Sequence, residues 1–115
     1  MSKDLLPSLP PTSWQASLSR QPHAVLFKHS PICGSSAAAL EQMLDFVAAN
    51  ATIPVYLVNV LEERTLSQDI ARSLGVPHAS PQAIVVRWGV PVWAARYGGV
   101  TAVALGGAIR AGSAA

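Results

Sequence analysis

The 115-residue sequence has a single cysteine, few charged residues and no long apolar run, and each shortage excludes a class of protein. Cys33 alone cannot form an internal disulfide, and it cannot supply a cysteine-rich zinc site. No apolar stretch approaches the ~18 residues that a membrane span requires, and residues 1–11 lack the apolar core of a signal peptide. We therefore expect a cytoplasmic protein whose thiol stays reduced.

The charge of the chain is small and dispersed. Eight basic and six acidic residues give a formal net charge of +2. The basic residues form no stripe with interleaved aromatic residues, so we expect neither a nucleic-acid partner nor a membrane partner. The three histidines, His23, His29 and His78, lack the spacing of metal ligands, and no metal site is predicted.

Hydrophobic periodicity predicts four helices and four strands. Short apolar runs bounded by proline or turn residues indicate buried strands at 23–29, 54–60, 82–88 and 90–97. Helical spacing and cap residues predict helices over 12–20, 34–50, 65–74 and 101–110. The predicted helix ends are capping boxes at Thr12–Gln15 and Thr65–Gln68, a C-cap at Gly75 and an N-cap at Thr101.

The order of these elements predicts an α/β fold. The first strand–helix–strand unit implies a parallel pair with a right-handed crossover. The last two strands meet across Gly89 and should form an antiparallel hairpin, with Pro91 at an edge or at a strand start. This layout is the thioredoxin-like fold, a four-stranded mixed sheet in the order 2-1-3-4 with helices on both faces. We predict one domain over 1–115, with an N-terminal arm at 1–11 and a frayed tail at 111–115.

Cys33 falls just after the first strand and at the start of the next helix. Open α/β sheets bind ligands at this position, and the free N–H groups and dipole of the helix stabilise an anion there. A lone cysteine is often a small buried hydrophobe, but the neighbours of Cys33 have a loop composition. We therefore predict a reactive thiol, to which Lys28 and His29 can add positive potential where strand alternation allows.

Two features near Cys33 in the predicted fold indicate thiol chemistry. Ser36 occupies the position where a dithiol oxidoreductase has its second cysteine. A serine can hydrogen-bond a thiolate but cannot attack a disulfide. A mixed disulfide on Cys33 would therefore persist until a thiol from another molecule resolves it. A simpler role, in which Ser36 only satisfies the helix N-terminus, is compatible with this. In this fold we also expect a cis Ser80–Pro81 bond that turns the Ser80 backbone toward the thiol to pair with an extended substrate.

Other loop residues complete the predicted substrate site. Pro31 and Ile32 form a short apolar rim beside the thiol. Gly98, Gly99 and Thr101 precede the last helix, whose N-terminus can receive a carboxylate of a small thiol ligand. The alternative for these three residues is a plain turn and helix cap.

Four segments resemble the monothiol bacilliredoxins, small thioredoxin-like proteins of the general stress response. The segments are FKHSPICGSS, the helix after it to Asn50, HASPQAIVV and RYGGVTAVAL. The resemblance covers about residues 12–110. Its most specific part is the pattern K-H-S-x-x-C-x-x-S, formed by Lys28, His29, Ser30, Cys33 and Ser36. One departure is Gly34, where proline is expected in many members, and glycine leaves the backbone after the cysteine less rigid.

The resemblance implies a substrate and a reaction. Cys33 would attack a client protein capped by bacillithiol, a cysteine–glucosamine–malate thiol, take the bacillithiol onto itself and release the client thiol. Bacillithiol would be a co-substrate and no other cofactor is expected; the partners would be bacillithiol and its capped clients. Together with the local reasoning above, the predicted catalytic residues are Cys33 and Ser36, and the predicted substrate-binding residues are Pro31, Ile32, Ser80, Pro81, Gly98, Gly99 and Thr101. The alternative function is a non-catalytic binding or redox-sensing protein of the same fold.

Overall fold

The structure is a computed structural model that describes residues 6–114. The helices are α1 (Trp14–Ser19), α2 (Gly34–Ala49), α3 (Arg64–Leu74) and α4 (Ala102–Ala114). The strands are β1 (Ala24–His29), β2 (Val55–Asn59), β3 (Gln82–Arg87) and β4 (Val90–Arg96), and a 3-10 turn at Tyr97–Gly99 precedes α4. The first five residues of the predicted arm and Ala115 of the predicted tail lie outside the described range.

The four strands form one mixed sheet in the order β2-β1-β3-β4, which confirms the predicted fold. β1 pairs in parallel with β2 and antiparallel with β3, and β3 pairs antiparallel with β4. All six residues of β1 are buried, because this strand has a neighbour on each side and helices on each face. β4 is an edge strand, as predicted from Pro91.

Strand alternation divides the apolar residues between two cores. Val25 and Phe27 face α2 and α4, where they pack with residues such as Met43 and Leu105. Ala24 and Leu26 point to the opposite face, and their core includes Trp14, Leu18, Leu66 and Ile70 of α1 and α3. Each fully buried Val, Leu, Ile, Phe or Met side chain contributes about 1.5–3 kcal/mol of hydrophobic stabilisation.

The described part of the arm seals the outer edge of β2. Pro7 O accepts a 2.9 Å hydrogen bond from Leu57 N, and Ser8 forms a parallel bridge with Leu57. Leu6 joins the core under α2 and α4, whereas Leu9 joins the core under α1 and α3. The arm therefore wraps the strand edge that would otherwise offer unpaired backbone groups to another chain.

Both predicted capping boxes are wrong. α1 begins at Trp14 after the N-cap Ser13, with no side-chain cap, because a turn from Pro10 carries the chain past Thr12 before the helix starts. α3 begins at Arg64, one residue before Thr65. Asn59 organises that start: its Oδ1 accepts hydrogen bonds from the N–H groups of Leu61 and Glu62 at 3.0 and 3.1 Å.

The other helix ends are nearer to expectation. Gly75 ends α3 at φ 69°, and Thr101 Oγ1 accepts a 3.1 Å hydrogen bond from Ala104 N, so both predicted caps are confirmed. α4 continues to Ala114, four residues beyond its predicted end at Arg110. Alanine, the strongest helix former, accounts for half of that extension.

The β3–β4 hairpin turns on two residues with positive φ, Trp88 at 50° and Gly89 at 82°. Positive φ at both positions is the geometry of a type I′ turn, which matches the twist of paired strands. The turn also lies against α1, because a Cβ built on Gly89 would come within 3.2 Å of the Ser19 Cα.

We predict that Gly89→Ala destabilises the protein more than Gly75→Ala does. Both glycines have positive φ, so each alanine costs about 1–2 kcal/mol of backbone strain. Only Gly89 has a backbone neighbour in the way, which should add roughly 1 kcal/mol of overpacking. Denaturant-induced unfolding of the two variants measures the difference.

Gly107→Ala is the matched control, because Gly107 lies within α4 and nothing surrounds its missing Cβ. That variant should gain about 0.5–1 kcal/mol from helix propensity. Equal losses for Gly89→Ala and Gly75→Ala would contradict the contact between the hairpin and α1.

Candidate active site

Cys33 is the N-cap residue of α2, with extended backbone angles of φ −108° and ψ 126°. Its N–H donates to Ser30 O at 3.2 Å, and its carbonyl accepts a 3.1 Å bond from Ala37 N. The thiol is partly exposed. The short loop after β1 therefore fixes the backbone of Cys33 and leaves its side chain accessible at the start of the helix.

The first turn of α2 stabilises the thiolate of Cys33. Hydrogen bonds from the backbone N–H groups of Ser36 and then Ser35 lower the pKa of the thiol below its usual value. Desolvation raises this pKa to a smaller extent, and the two serine hydroxyls lower it further. The stabilising groups are mostly free helix-end amides, which have no partner within the helix itself.

Ser36 has both of the roles considered from the sequence. Its side chain is fully buried, and Oγ accepts a 3.1 Å hydrogen bond from Ser30 N. Its hydroxyl also lowers the pKa of the Cys33 thiol. Ser36 thus holds the loop over the helix end and contributes to the environment of the thiolate.

Lys28 does not add the expected positive potential to the thiolate. Strand alternation sends His29 toward Phe27, with ring centroids 5.6 Å apart, and Lys28 to the opposite face. Lys28 Nζ donates to Ser67 O at 2.9 Å and to His78 Nδ1 at 3.2 Å. The groups that shift the pKa of Cys33 are the two serines and burial, and Lys28 is not among them.

The loop before β3 lies at the same sheet edge as Cys33. Lys28 pairs with Gln82, so the next position along each strand brings Pro81 toward His29 and the loop that follows it. The Ser80–Pro81 peptide bond is cis. Pro81 O accepts a 3.0 Å bond from Tyr97 N, and Gln82 Nε2 donates to Pro77 O at 2.9 Å.

The start of α4 is largely satisfied by the protein itself. Gln42 Oε1 of α2 accepts a 2.9 Å hydrogen bond from Ala102 N, and Thr101 Oγ1 accepts a hydrogen bond from Ala104 N. Gly98 and Gly99 lie in the exposed 3-10 turn before it. This arrangement favours the turn-and-cap role of these residues and leaves a ligand carboxylate fewer donors than the sequence led us to expect.

Exposed apolar side chains surround the Cys33 edge of the sheet. Ile32, next to the cysteine, is 82% exposed, and Pro31 is exposed beside it. Leu61 and Tyr97, which follow the ends of β2 and β4, are 53% and 54% exposed. Sequence reasoning predicted Pro31 and Ile32 but missed Leu61 and Tyr97, because only the sheet order brings the ends of β1, β2 and β4 to one edge.

Residues 6–114 contain no group of three histidine, cysteine or acidic side chains placed to hold a metal ion. No helix in this range is long and apolar enough to cross a membrane.

Comparison with known proteins identifies the family. Residues 11–105 match the family model described as monothiol bacilliredoxin BrxC. The chain belongs to the monothiol bacilliredoxin BrxC family. The family predicted from the K-H-S-x-x-C-x-x-S pattern is therefore confirmed for this bacilliredoxin, and the cysteine of that pattern is the residue at the start of α2.

Solved structures agree on the fold. The bacilliredoxin is similar to a protein proposed to be an oxidoreductase with a thioredoxin fold, at 29% identity and a TM-score of 0.82 over 90% of this chain and 92% of that one. It is also similar to mitochondrial thioredoxin 3 of Saccharomyces cerevisiae, at 16% identity and a TM-score of 0.75 over 96% and 99%. A thioredoxin mutant from Halobacterium salinarum has 21% identity and a TM-score of 0.69 over 92% and 88%.

We predict that Ser35→Pro raises the pKa of Cys33 more than Ser35→Ala does. Ser35 is exposed in the first helical turn, where proline is tolerated, so both variants should keep α2. Alanine removes only the hydroxyl, whereas proline also removes the backbone donor that lowers the pKa. The rate of alkylation of Cys33 against pH gives the titration midpoint of each protein.

The parent midpoint should lie below the free-cysteine value of about 8.5. Identical midpoints for the proline and alanine variants would show that the amide of Ser35 does not stabilise the thiolate.

Proposed function

We propose that this bacilliredoxin is a thiol–disulfide oxidoreductase that removes bacillithiol from S-bacillithiolated client proteins. The observation that carries the proposal is the environment of Cys33. The chain's only cysteine is partly exposed, has a lowered pKa at a helix N-terminus and stands three residues before a serine. A thiol in such a place is nucleophilic at neutral pH, which argues against an inert cysteine in a binding protein.

The first step is attack of the Cys33 thiolate on the bacillithiol sulfur of the client's mixed disulfide. The disulfide bond to the client breaks, the client cysteine leaves as a thiolate and takes a proton from solvent, and a Cys33–bacillithiol disulfide forms. The first-turn amides that stabilise the Cys33 thiolate also keep it available before the attack. Both electrons of the broken bond leave with the client sulfur, so the client is reduced and Cys33 is oxidised.

The second step needs an outside thiol. Ser36 cannot attack a disulfide, and the chain has no other cysteine, so the Cys33–bacillithiol disulfide persists. A second bacillithiol thiolate attacks the bacillithiol sulfur, displaces the Cys33 thiolate and leaves as oxidised bacillithiol. A redox sensor without turnover would stop before this step, so repeated release of client thiol distinguishes the enzyme from the sensor.

The client protein has an apolar surface to contact. Ile32, Leu61 and Tyr97 are exposed at the strand ends around Cys33, and Pro31 extends this surface. We propose that the Ser80 backbone, which precedes cis-Pro81, pairs with an extended client segment. We also propose a cytoplasmic site of action, where a free thiol stays reduced, and a single functional domain over 1–115.

We predict that Cys33→Ser abolishes removal of bacillithiol from a capped model peptide. Serine is a poor nucleophile at neutral pH, and Cys33 lies in neither hydrophobic core, so the fold should be kept. The assay is release of the peptide thiol with excess bacillithiol, alongside the thermal unfolding of parent and variant. Parent protein alkylated at its one cysteine is the matched control and should be equally inactive.

We also predict that Ser36→Cys converts the monothiol site into a dithiol site. Ser36 lies in the first turn of α2, three residues after Cys33, and its hydroxyl lowers the pKa of the thiol, so we expect a thiol there to attack the mixed disulfide. The Cys33–bacillithiol species should decay at least about tenfold faster than in the parent, because the reaction becomes intramolecular. Mass spectrometry against time should show accumulation of a 33–36 disulfide.

Ala38→Cys is the matched control, because it adds a thiol to α2 at an exposed position whose residue is not among the groups that shift the pKa of Cys33. Equal lifetimes of the mixed disulfide in Ser36→Cys and Ala38→Cys would refute the assumed geometry of the pair.

A further inference from the structure

A cavity of about 330 Å³ lies between the loop after β2 and the first turns of α3. It is lined by Val60, Leu61, Arg64, Ser67, Gln68 and His78. The polar members offer a guanidinium, a hydroxyl, an amide and an imidazole, and no carboxylate is among the described lining residues. Glu62 and Glu63 of the same loop line a different cavity, beside the arm.

A buried ammonium group lies behind this lining. Lys28 is fully buried, and its Nζ donates to Ser67 O and to His78 Nδ1. Ser67 Oγ is also 3.2 Å from His78 Nδ1. No acidic side chain between residues 6 and 114 pairs with Lys28. Buried charges in proteins are normally paired, whereas the described residues place no carboxylate beside this ammonium.

The ionisation of the two groups is consistent with a cavity that attracts anions. Burial lowers the pKa of Lys28 to about 8, so most of this side chain is still charged at neutral pH. Burial and the charge of Lys28 lower the pKa of His78. An anion in the cavity would offset both effects and raise the two pKa values together.

The loop that lines the cavity is joined to the strand that leads to Cys33. Val60 N donates to His29 O at 3.0 Å, which ties the cavity wall to the residue where β1 ends and the Cys33 loop begins. His78 lies two residues before Ser80–Pro81. The other candidate for holding an anion at this edge, the start of α4, already has Ala102 N and Ala104 N occupied.

We propose that this cavity binds a carboxylate of bacillithiol when its sulfur is joined to Cys33. The inference rests on the function proposed above, since it assigns the malyl end of that substrate to Arg64, Gln68 and His78. The charged carboxylate of the ligand then becomes the negative partner of the Lys28–His78 pair.

The direct test uses the Cys33→Ser protein, which binds without reacting. Titration with reduced bacillithiol should shift the backbone NMR signals of Arg64, Ser67, Gln68 and His78 and raise the pKa of His78. L-Malate alone should shift the same signals more weakly, and inorganic phosphate serves as a general anion. Shifts confined to Gly98–Thr101, shifts with phosphate but not bacillithiol, or no shifts at all would overturn the proposal.

The kinetic test compares two caps on one peptide, bacillithiol and the neutral 2-mercaptoethanol. The parent should have a lower KM for the bacillithiol cap, and Arg64→Gln should reduce this preference about tenfold through the loss of a charged hydrogen bond. Arg72→Gln is the matched control, because Arg72 lies on the same helix, pairs with Asp69 and does not line the cavity. An unchanged preference in Arg64→Gln would contradict the subsite.

The two tests separate this inference from the proposed function. If the parent protein removes both caps and Arg64→Gln keeps the preference for bacillithiol, the subsite would be refuted and the oxidoreductase activity would stand. If bacillithiol shifts the signals of the cavity residues but the parent protein releases no client thiol, the subsite would be supported and the proposed oxidoreductase activity would be refuted.

Discussion

The stabilisation of the Cys33 thiolate by the first-turn amides of α2, which lowers the pKa of the thiol, is the effect on which the rest of the site depends. Amides at a helix start are free donors, but they stabilise a thiolate only when the cysteine is held over them. The bond from Ser30 N to Ser36 Oγ provides that hold by joining the loop to the first turn. Met43, Leu44 and Phe46 in turn anchor the helix in the core, so burial far from the sulfur maintains the geometry at it.

β1 supplies two different sites from adjacent residues. Its end leads into the Cys33 loop, whereas Lys28 points through the opposite face to Ser67 and His78. Lys28 and its cross-strand neighbour Gln82 both hold the loop before β3, through His78 and Pro77. The cis-Pro81 segment is therefore positioned from the same strands that position the cysteine. This shared support relates the thiol, the client-binding surface and the cationic cavity.

Much of the fold was predictable because its local signals agree. The apolar runs around Phe27, Leu57 and Ile84 have the length of buried strands, and helical spacing marks α2 and α3 clearly. The failures occurred at the helix starts, where Thr12–Gln15 and Thr65–Gln68 match a capping box that the chain does not use. In α3 the Asn59 side chain organises the turn out of β2, so the helix begins before Thr65 can cap it.

For the site, the sequence by itself determined the chemistry: one cysteine, a serine three residues later and a helix after a strand. These features are local, so a short stretch of chain specifies the reactive group, the missing resolving thiol and the donors around them. The tertiary structure was needed to show the partners of Lys28, the capping of α4 by Gln42 and the exposure of Ile32, Leu61 and Tyr97 at one end of the sheet. Those contacts join residues from separate elements. These contacts depend on the order of the strands and on the face to which each side chain points. Neighbouring residues in the sequence do not determine them.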